Sequence, residues 1–112
     1  MTPDDFRQLA LSQLNARVAS RLGTIEFLVG DKVFATLGAP DPAFALLRLS
    51  PEDQAAALAA APGVFSPQAG GAGARGVTCV RLALAEAGHL KPVLAKAAGK
   101  ARNSRSAFSR IG

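Results

Sequence analysis

Phe27-Leu28-Val29-Gly30-Asp31-Lys32-Val33-Phe34-Ala35-Thr36-Leu37 is the stretch on which the fold turns. Two apolar runs rich in β-branched and aromatic residues flank Gly30-Asp31, and Val29 and Lys32 are placed to close a two-residue turn. This pattern predicts a β-hairpin. Glycine at the first central position takes a positive φ without a Cβ clash, which a type II′ turn requires to match the twist of its strands.

Working back toward the N-terminus, Thr2 is placed as an N-cap, Pro3 as the first helical residue and Asp5 as a carboxylate three residues past the cap. Phe6, Leu9, Ala10 and Leu14 recur at three- and four-residue steps, so a first helix is expected through about Asn15. Val18 is expected in a brief strand, and Leu22-Gly23 breaks the chain before Thr24 to Val29 opens the hairpin. Gly38-Ala39-Pro40-Asp41-Pro42 reads as a loop, because its prolines lack the donors a ladder needs.

Ala43 to Leu49 follows as a strand, with Phe44, Leu46 and Arg48 on one face and Ala45, Leu47 and Leu49 on the other. Ser50-Pro51-Glu52-Asp53 repeats the helix-start chemistry of Thr2 to Asp5, and Pro62-Gly63 ends the short helix it begins. Val64-Phe65 is a short strand candidate. Ser66 to Gly76 reads as a flexible connection, and Val77 to Leu82 as a strand pairing antiparallel with an earlier one. Leu90, Val93, Leu94, Ala97, Ala98 and Ala101 form the apolar stripe of a closing helix. Its ladder is expected to begin near His89, with Pro92 in the first turn, and to end near Asn103. Residues 1–102 therefore read as one α+β domain and 103–112 as a basic, serine-rich, mobile tail.

A chain of 112 residues has room for one hydrophobic core. No apolar run approaches the ~18 residues of a membrane span, and the acidic start Met1-Thr2-Pro3-Asp4-Asp5 is unlike a secretory signal, so a cytoplasmic protein is expected. Cys79 is the single cysteine, which excludes an intrachain disulfide and a thiolate-rich metal site. Within an apolar strand it reads as a core residue.

Charge is distributed unevenly. Residues 1–86 carry Arg7, Arg17, Arg21, Lys32, Arg48, Arg75 and Arg81 against eight carboxylates, a net charge of minus one. Residues 87–112 carry Lys91, Lys96, Lys100, Arg102, Arg105 and Arg110 and no acid, a net charge of plus six. Such asymmetry points to a polyanion, nucleic acid before membrane.

The order of these segments, from the helix before Gly23 through Phe27 to Leu37, Leu47-Arg48-Leu49, Ser50-Pro51-Glu52-Asp53-Gln54 and Gly76-Val77-Thr78-Cys79-Val80-Arg81-Leu82, resembles the MmcQ/YjbR family from about Phe6 to Lys100. The resemblance implies a frataxin-like α+β domain, an antiparallel sheet flanked by N-terminal and C-terminal helices, and a DNA-binding role. The chain departs from the family where tryptophans are common, with Leu22 and Val77 in their places, and where Arg-Pro is common, with Thr24-Ile25. Arg48 replaces a frequent lysine. With no Trp or Tyr in the chain, any binding by aromatic stacking on bases is expected to be lost and what binding remains to be mainly electrostatic.

Catalytic signatures are sparse. Gly71-Ala72-Gly73-Ala74-Arg75-Gly76 spells G-x-G-x-x-G, but it leads into a strand where a dinucleotide fingerprint opens a helix, and it lacks the Lys-Ser/Thr of a P-loop. His89 is the only histidine and reads as an ordinary exposed side chain. Asp4, Asp5, Glu52, Asp53 and Glu86 are accounted for as helix-start charges. Asp4 and Asp5 alone are too few for the iron site that a frataxin-like shape suggests. The expectation is a non-enzymatic protein without cofactor or metal. Lys91, Lys96, Lys100, Arg102, Arg105 and Arg110, joined by Arg48 and Arg75, would contact DNA phosphates with little sequence preference. The competing expectation is a protein-interaction or small-ligand module.

Overall fold

The hairpin forms as its residues dictate, in a computed structural model that describes the backbone of residues 1–111 and the side chains of residues 1–103. Strands β2 (Thr24–Val29) and β3 (Lys32–Leu37) pair antiparallel with Val29 opposite Lys32. Of the two turn residues only Gly30 has a positive φ, +64°, as the type II′ geometry demands. The register slips by one residue past Phe27, which pairs with Ala35 while Leu28 pairs with Val33. Phe34 is thus the extra residue of a bulge. Both Phe34 and Ala35 are buried in the core.

Four more strands extend this pair, β1 (Ala16–Arg21), β4 (Phe44–Arg48), β5 (Phe65–Pro67) and β6 (Val77–Arg81). They complete an antiparallel sheet in the order β1-β2-β3-β4-β6-β5. The break at Leu22-Gly23 is a second tight hairpin, with φ of 48° and 85° at the two positions, so β1 is longer than the brief pairing expected at Val18. Helices α1 (Pro3–Leu11), α2 (Pro51–Ala60) and α4 (Ala87–Ile111) pack on one face of the sheet, α4 across β2, β3 and β4, α1 beside β1 and β3, α2 beside β5 and β6. The molecule is a single α+β domain. Among the described residues no helix is long and apolar enough to cross a membrane.

Residues chosen for one face account for the core. Leu90, Val93, Leu94, Ala97, Ala98 and Ala101 of α4 are all buried, against Phe27, Phe34, Leu47 and Val80 among others. Phe6 of α1 meets Phe27 edge-on at 6.0 Å between ring centroids, and Phe27 lies 6.4 Å from Phe34. Each fully buried Leu or Phe contributes about 1.5–3 kcal/mol. The capping expectations hold: Thr2 accepts from the Asp5 N–H while Asp5 accepts from the Thr2 N–H, and Ser50 accepts from the Asp53 N–H.

Several boundaries differ from expectation. The first helix stops at Leu11, because Ser12 turns back onto the Leu9 carbonyl and Asn15 adopts φ +63° to launch β1. Leu14, expected in the apolar stripe, is 68% exposed. Helix α4 begins at Ala87, so Pro92 lies in its second turn. His89, expected as an idle exposed side chain, is half-buried, and its Nδ1 accepts the Glu86 N–H that starts α4. The expected tail, 103–112, is spanned as far as Ile111 by the backbone of α4, and its side chains beyond Asn103 lie outside the described residues.

The glycine-rich connection is anchored. It contains part of β5 and a single helical turn, α3 (Gly71–Ala74), before β6. Gln54 of α2 donates to the carbonyls of Gly73 and Val77, and the Gln68 N–H donates to Val77. Gly76 has φ +110°, and a Cβ there would stand 2.0 Å from the Leu49 carbonyl oxygen; at Gly73 it would stand 1.8 Å from that of Gln68. Close packing of backbone on backbone selects these two glycines.

Two measurements check this account. Gly76→Ala is expected to destabilise the fold by about 3 kcal/mol or more through backbone collision and strain, whereas Gly99→Ala, in a helix and facing open space, stabilises it by about 1 kcal/mol; urea denaturation of both variants reads the difference. The hydrogen bonds from Thr2 hold the Asp5 carboxyl below its usual range. Its stabilisation is therefore present above the ordinary carboxylate pKa and lost as pH falls through the lowered one, and Asp5→Asn should flatten the acid limb of a thermal-stability profile.

Candidate nucleic-acid interface

Strand direction decides which cations meet. Strand β4 ends, β3 begins and β6 begins at one end of the sheet, and α4 runs toward that same end because it starts beyond the far end of β6. Lys32, at the start of β3, Arg48, at the end of β4, and Lys100 of α4 there surround a cleft of about 320 Å³ with Asp31, Val33, Ala97 and Ala101. Three cations face one carboxylate. All three are exposed, as anion binding requires. Lys32 and Asp31 were not among the residues expected from sequence.

The other expected cations are placed differently. Lys96, one turn before Lys100, has its Nζ 3.6 Å from Asp53 Oδ1 on α2. A pair this exposed contributes little stability, but it offsets part of the charge of that flank. Arg102 is half-buried on the opposite flank of α4, where its Nη1 donates to the Leu14 carbonyl at 2.9 Å. Its charge ties α4 to the turn after α1. Lys91 is exposed and shares that flank, by helical spacing, with Arg102. Arg75 is exposed at the end of α3, its Nη1 3.2 Å from the position a Gly71 Cβ would occupy. It folds back over its own turn, ahead of β6. Arg105 and Arg110 lie outside the described residues. The structure thus brings together Lys100 and Arg48 of the expected set and adds Lys32, while Lys96, Arg102, Lys91 and Arg75 stand apart from that cleft.

Chemistry elsewhere is limited. Burial pushes the Cys79 thiol up, which disfavours the thiolate a nucleophile needs. Among the described residues no three of His, Cys, Asp and Glu stand close enough to hold a metal ion. A second cleft, of about 250 Å³, separates α2 from the start of α4 and is lined by Ala57, Ala61, Phe65, Pro92 and Val93, with His89 and Lys96 also on its wall.

No family model matches the chain, and no curated protein is significantly similar to it. Among solved structures, it resembles the crystal structure of the Deinococcus radiodurans protein DR2400, a DUF419 domain. The TM-score is 0.64, covering 83% of this chain and 72% of that one at 22% identity. The two share a fold.

Because the Arg102 guanidinium holds a main-chain carbonyl, Arg102→Ala is expected to lower stability by about 1 kcal/mol, whereas Lys96→Gln stays within about 0.5 kcal/mol of the parent; thermal denaturation distinguishes them.

Proposed function

We propose that this chain is a non-enzymatic, cytoplasmic domain of the MmcQ/YjbR type that binds DNA through phosphate contacts with little sequence preference. The observation that supports this most directly is the meeting of Lys32, Arg48 and Lys100 at one end of the sheet, with Asp31 as the only carboxylate among the described residues that line their cleft. Cations that converge raise the local potential more than the same number spread around a surface, and they attract phosphate without a shaped pocket. A lysine or arginine on phosphate fixes position and carries no base information, which accounts for the expected lack of sequence preference.

Lys100 and Arg48 carry the contact together with Lys32. Lys96 contributes less, because Asp53 stands beside it, and Arg102 is engaged with its carbonyl. The α2–α4 cleft favours a different occupant, a small apolar ligand or a partner side chain. It gathers one lysine, Lys96, beside Asp53, where the sheet end gathers three cations, so the cationic end is preferred for phosphate.

Engagement of three phosphates implies a salt slope of about 2.7 on duplex DNA and about 2.1 on a single strand, so affinity should fall roughly fortyfold or roughly twentyfold, respectively, between about 50 and 200 mM salt. The double variant Lys32→Glu with Lys100→Glu should weaken all DNA sequences about equally in fluorescence anisotropy. Absent or salt-insensitive binding rejects the proposal.

A further inference from the structure

The strands carry a second cationic surface, distinct from the flanks of α4. Side chains alternate along each strand, so burial of Phe27, Val29, Ala45, Leu47 and Val80 beneath the helices assigns their neighbours to the opposite face. By this alternation Arg17 and Arg21 of β1, Arg48 of β4 and Arg81 of β6 all project from the face that no long helix covers. All four are exposed, although the Arg17 guanidinium is engaged by the Gly30 carbonyl and contributes less, and Glu26 is the one carboxylate the strands place there. Arg17 and Arg48 belong to one end of the sheet, Arg21 and Arg81 to the other. Four residues separate the two rows along a strand, about 13 Å. Between them runs a band across the strands in which Ala19, Glu26, Thr36, Leu46 and Cys79 are directly paired neighbours, uncharged from Thr36 onward with Glu26 as its one charge on the β2 side. Phe44 lies beside this band with the Arg81 guanidinium 5.8 Å from its ring centroid.

We infer that the polyanion bound by this protein is single-stranded, and that it crosses the open sheet face from the Lys32–Arg48–Lys100 cleft toward Arg21 and Arg81. This rests on the phosphate-binding function proposed above. Charge complementarity selects a polyanion, and sheet geometry selects its form. Six strands spaced about 4.8 Å apart span roughly 24 Å, too broad for a major groove about 12 Å wide. A duplex resting on the face would touch only the arginine rows with its phosphates and leave the band between them against water. A single strand supplies both phosphates for the arginines and base faces to cover Leu46 and Phe44. Arginine suits this role through its planar guanidinium, which stacks as well as pairs.

The test compares a thymidylate oligomer of about 25 nucleotides, a duplex of equal length and polyglutamate by anisotropy and competition at about 50 mM salt. The oligomer is expected to bind at least about tenfold more tightly than either competitor. The double variant Arg21→Gln with Arg81→Gln should weaken it about tenfold and lower the salt slope by about 1.4, with an unchanged circular dichroism spectrum as the control for folding. Equal affinity for duplex or polyglutamate overturns the inference. So does full oligomer binding by the arginine double variant alongside weakened binding by Lys32→Glu with Lys100→Glu, an outcome that leaves the cleft function standing. Failure of every probe to bind removes both.

Discussion

One-sided burial of the sheet is the constraint from which the rest of the molecule follows. Helices α1, α2 and α4 all lie against the same face, so Phe27, Leu47 and Val80 must point there, and period-two alternation then sends Leu28, Arg48 and Arg81 the other way. A register slip of one residue anywhere in β1 or β4 would carry arginines into the core, where an unpaired charge costs several kcal/mol. Hydrophobic register and cation placement are therefore one decision. The bulge at Phe34 is the local exception that tightens the rule: it lets two successive side chains, Phe34 and Ala35, both serve the core, and brings Val33 and Lys32 to the sheet end beside Arg48.

Much of this was legible from residue order. The II′ hairpin, the two capped helix starts at Thr2 and Ser50, the faces of β4 and the stripe of α4 each follow from local chemistry that tertiary contacts had no reason to override. What could not be read depended on contacts distant in sequence. Leu14 fits a helical period, yet the helix ends early because Asn15 turns the chain into β1, which the first hairpin then holds. His89 shows no partner in sequence, since the group it accepts from is a backbone N–H exposed only by the start of α4. The glycine run illustrates the same limit from the other side. Its letters match a nucleotide fingerprint, but Gly73 and Gly76 are required by carbonyls of Gln68 and Leu49, one of them far along the chain. Glycine reports close approach without naming what approaches.

Charge reads differently along the chain and through space for a related reason. Summed along the chain, residues 1–86 are nearly neutral and the closing helix holds the excess. Summed through space, Asp53 offsets Lys96, the Leu14 carbonyl engages Arg102, and the near-neutral body separates into a helix face and a sheet face of different composition. The signal was present in parity: Arg17 and Arg21 are four apart, Arg48 is two beyond Leu46, and Arg81 is two beyond Cys79. Even spacing within a strand means a shared face, and no property of the sum reveals it.

The two cationic regions are continuous because Arg48 belongs to both. It lines the cleft with Lys32 and Lys100, and by alternation it stands in the same row as Arg17 on the open face. Neither region alone has many groups. Phosphate affinity grows with the number of contacts a single polymer can make at once, so a shared residue converts two small patches into one track around the sheet end. The Arg17 guanidinium donates twice to the Gly30 carbonyl, which fixes the hairpin turn against β1 and with it the position of Lys32 at the cleft. The same turn that sets the strand register thus holds the corner of the cationic surface, and loosening it would spread these charges before it unfolded the core.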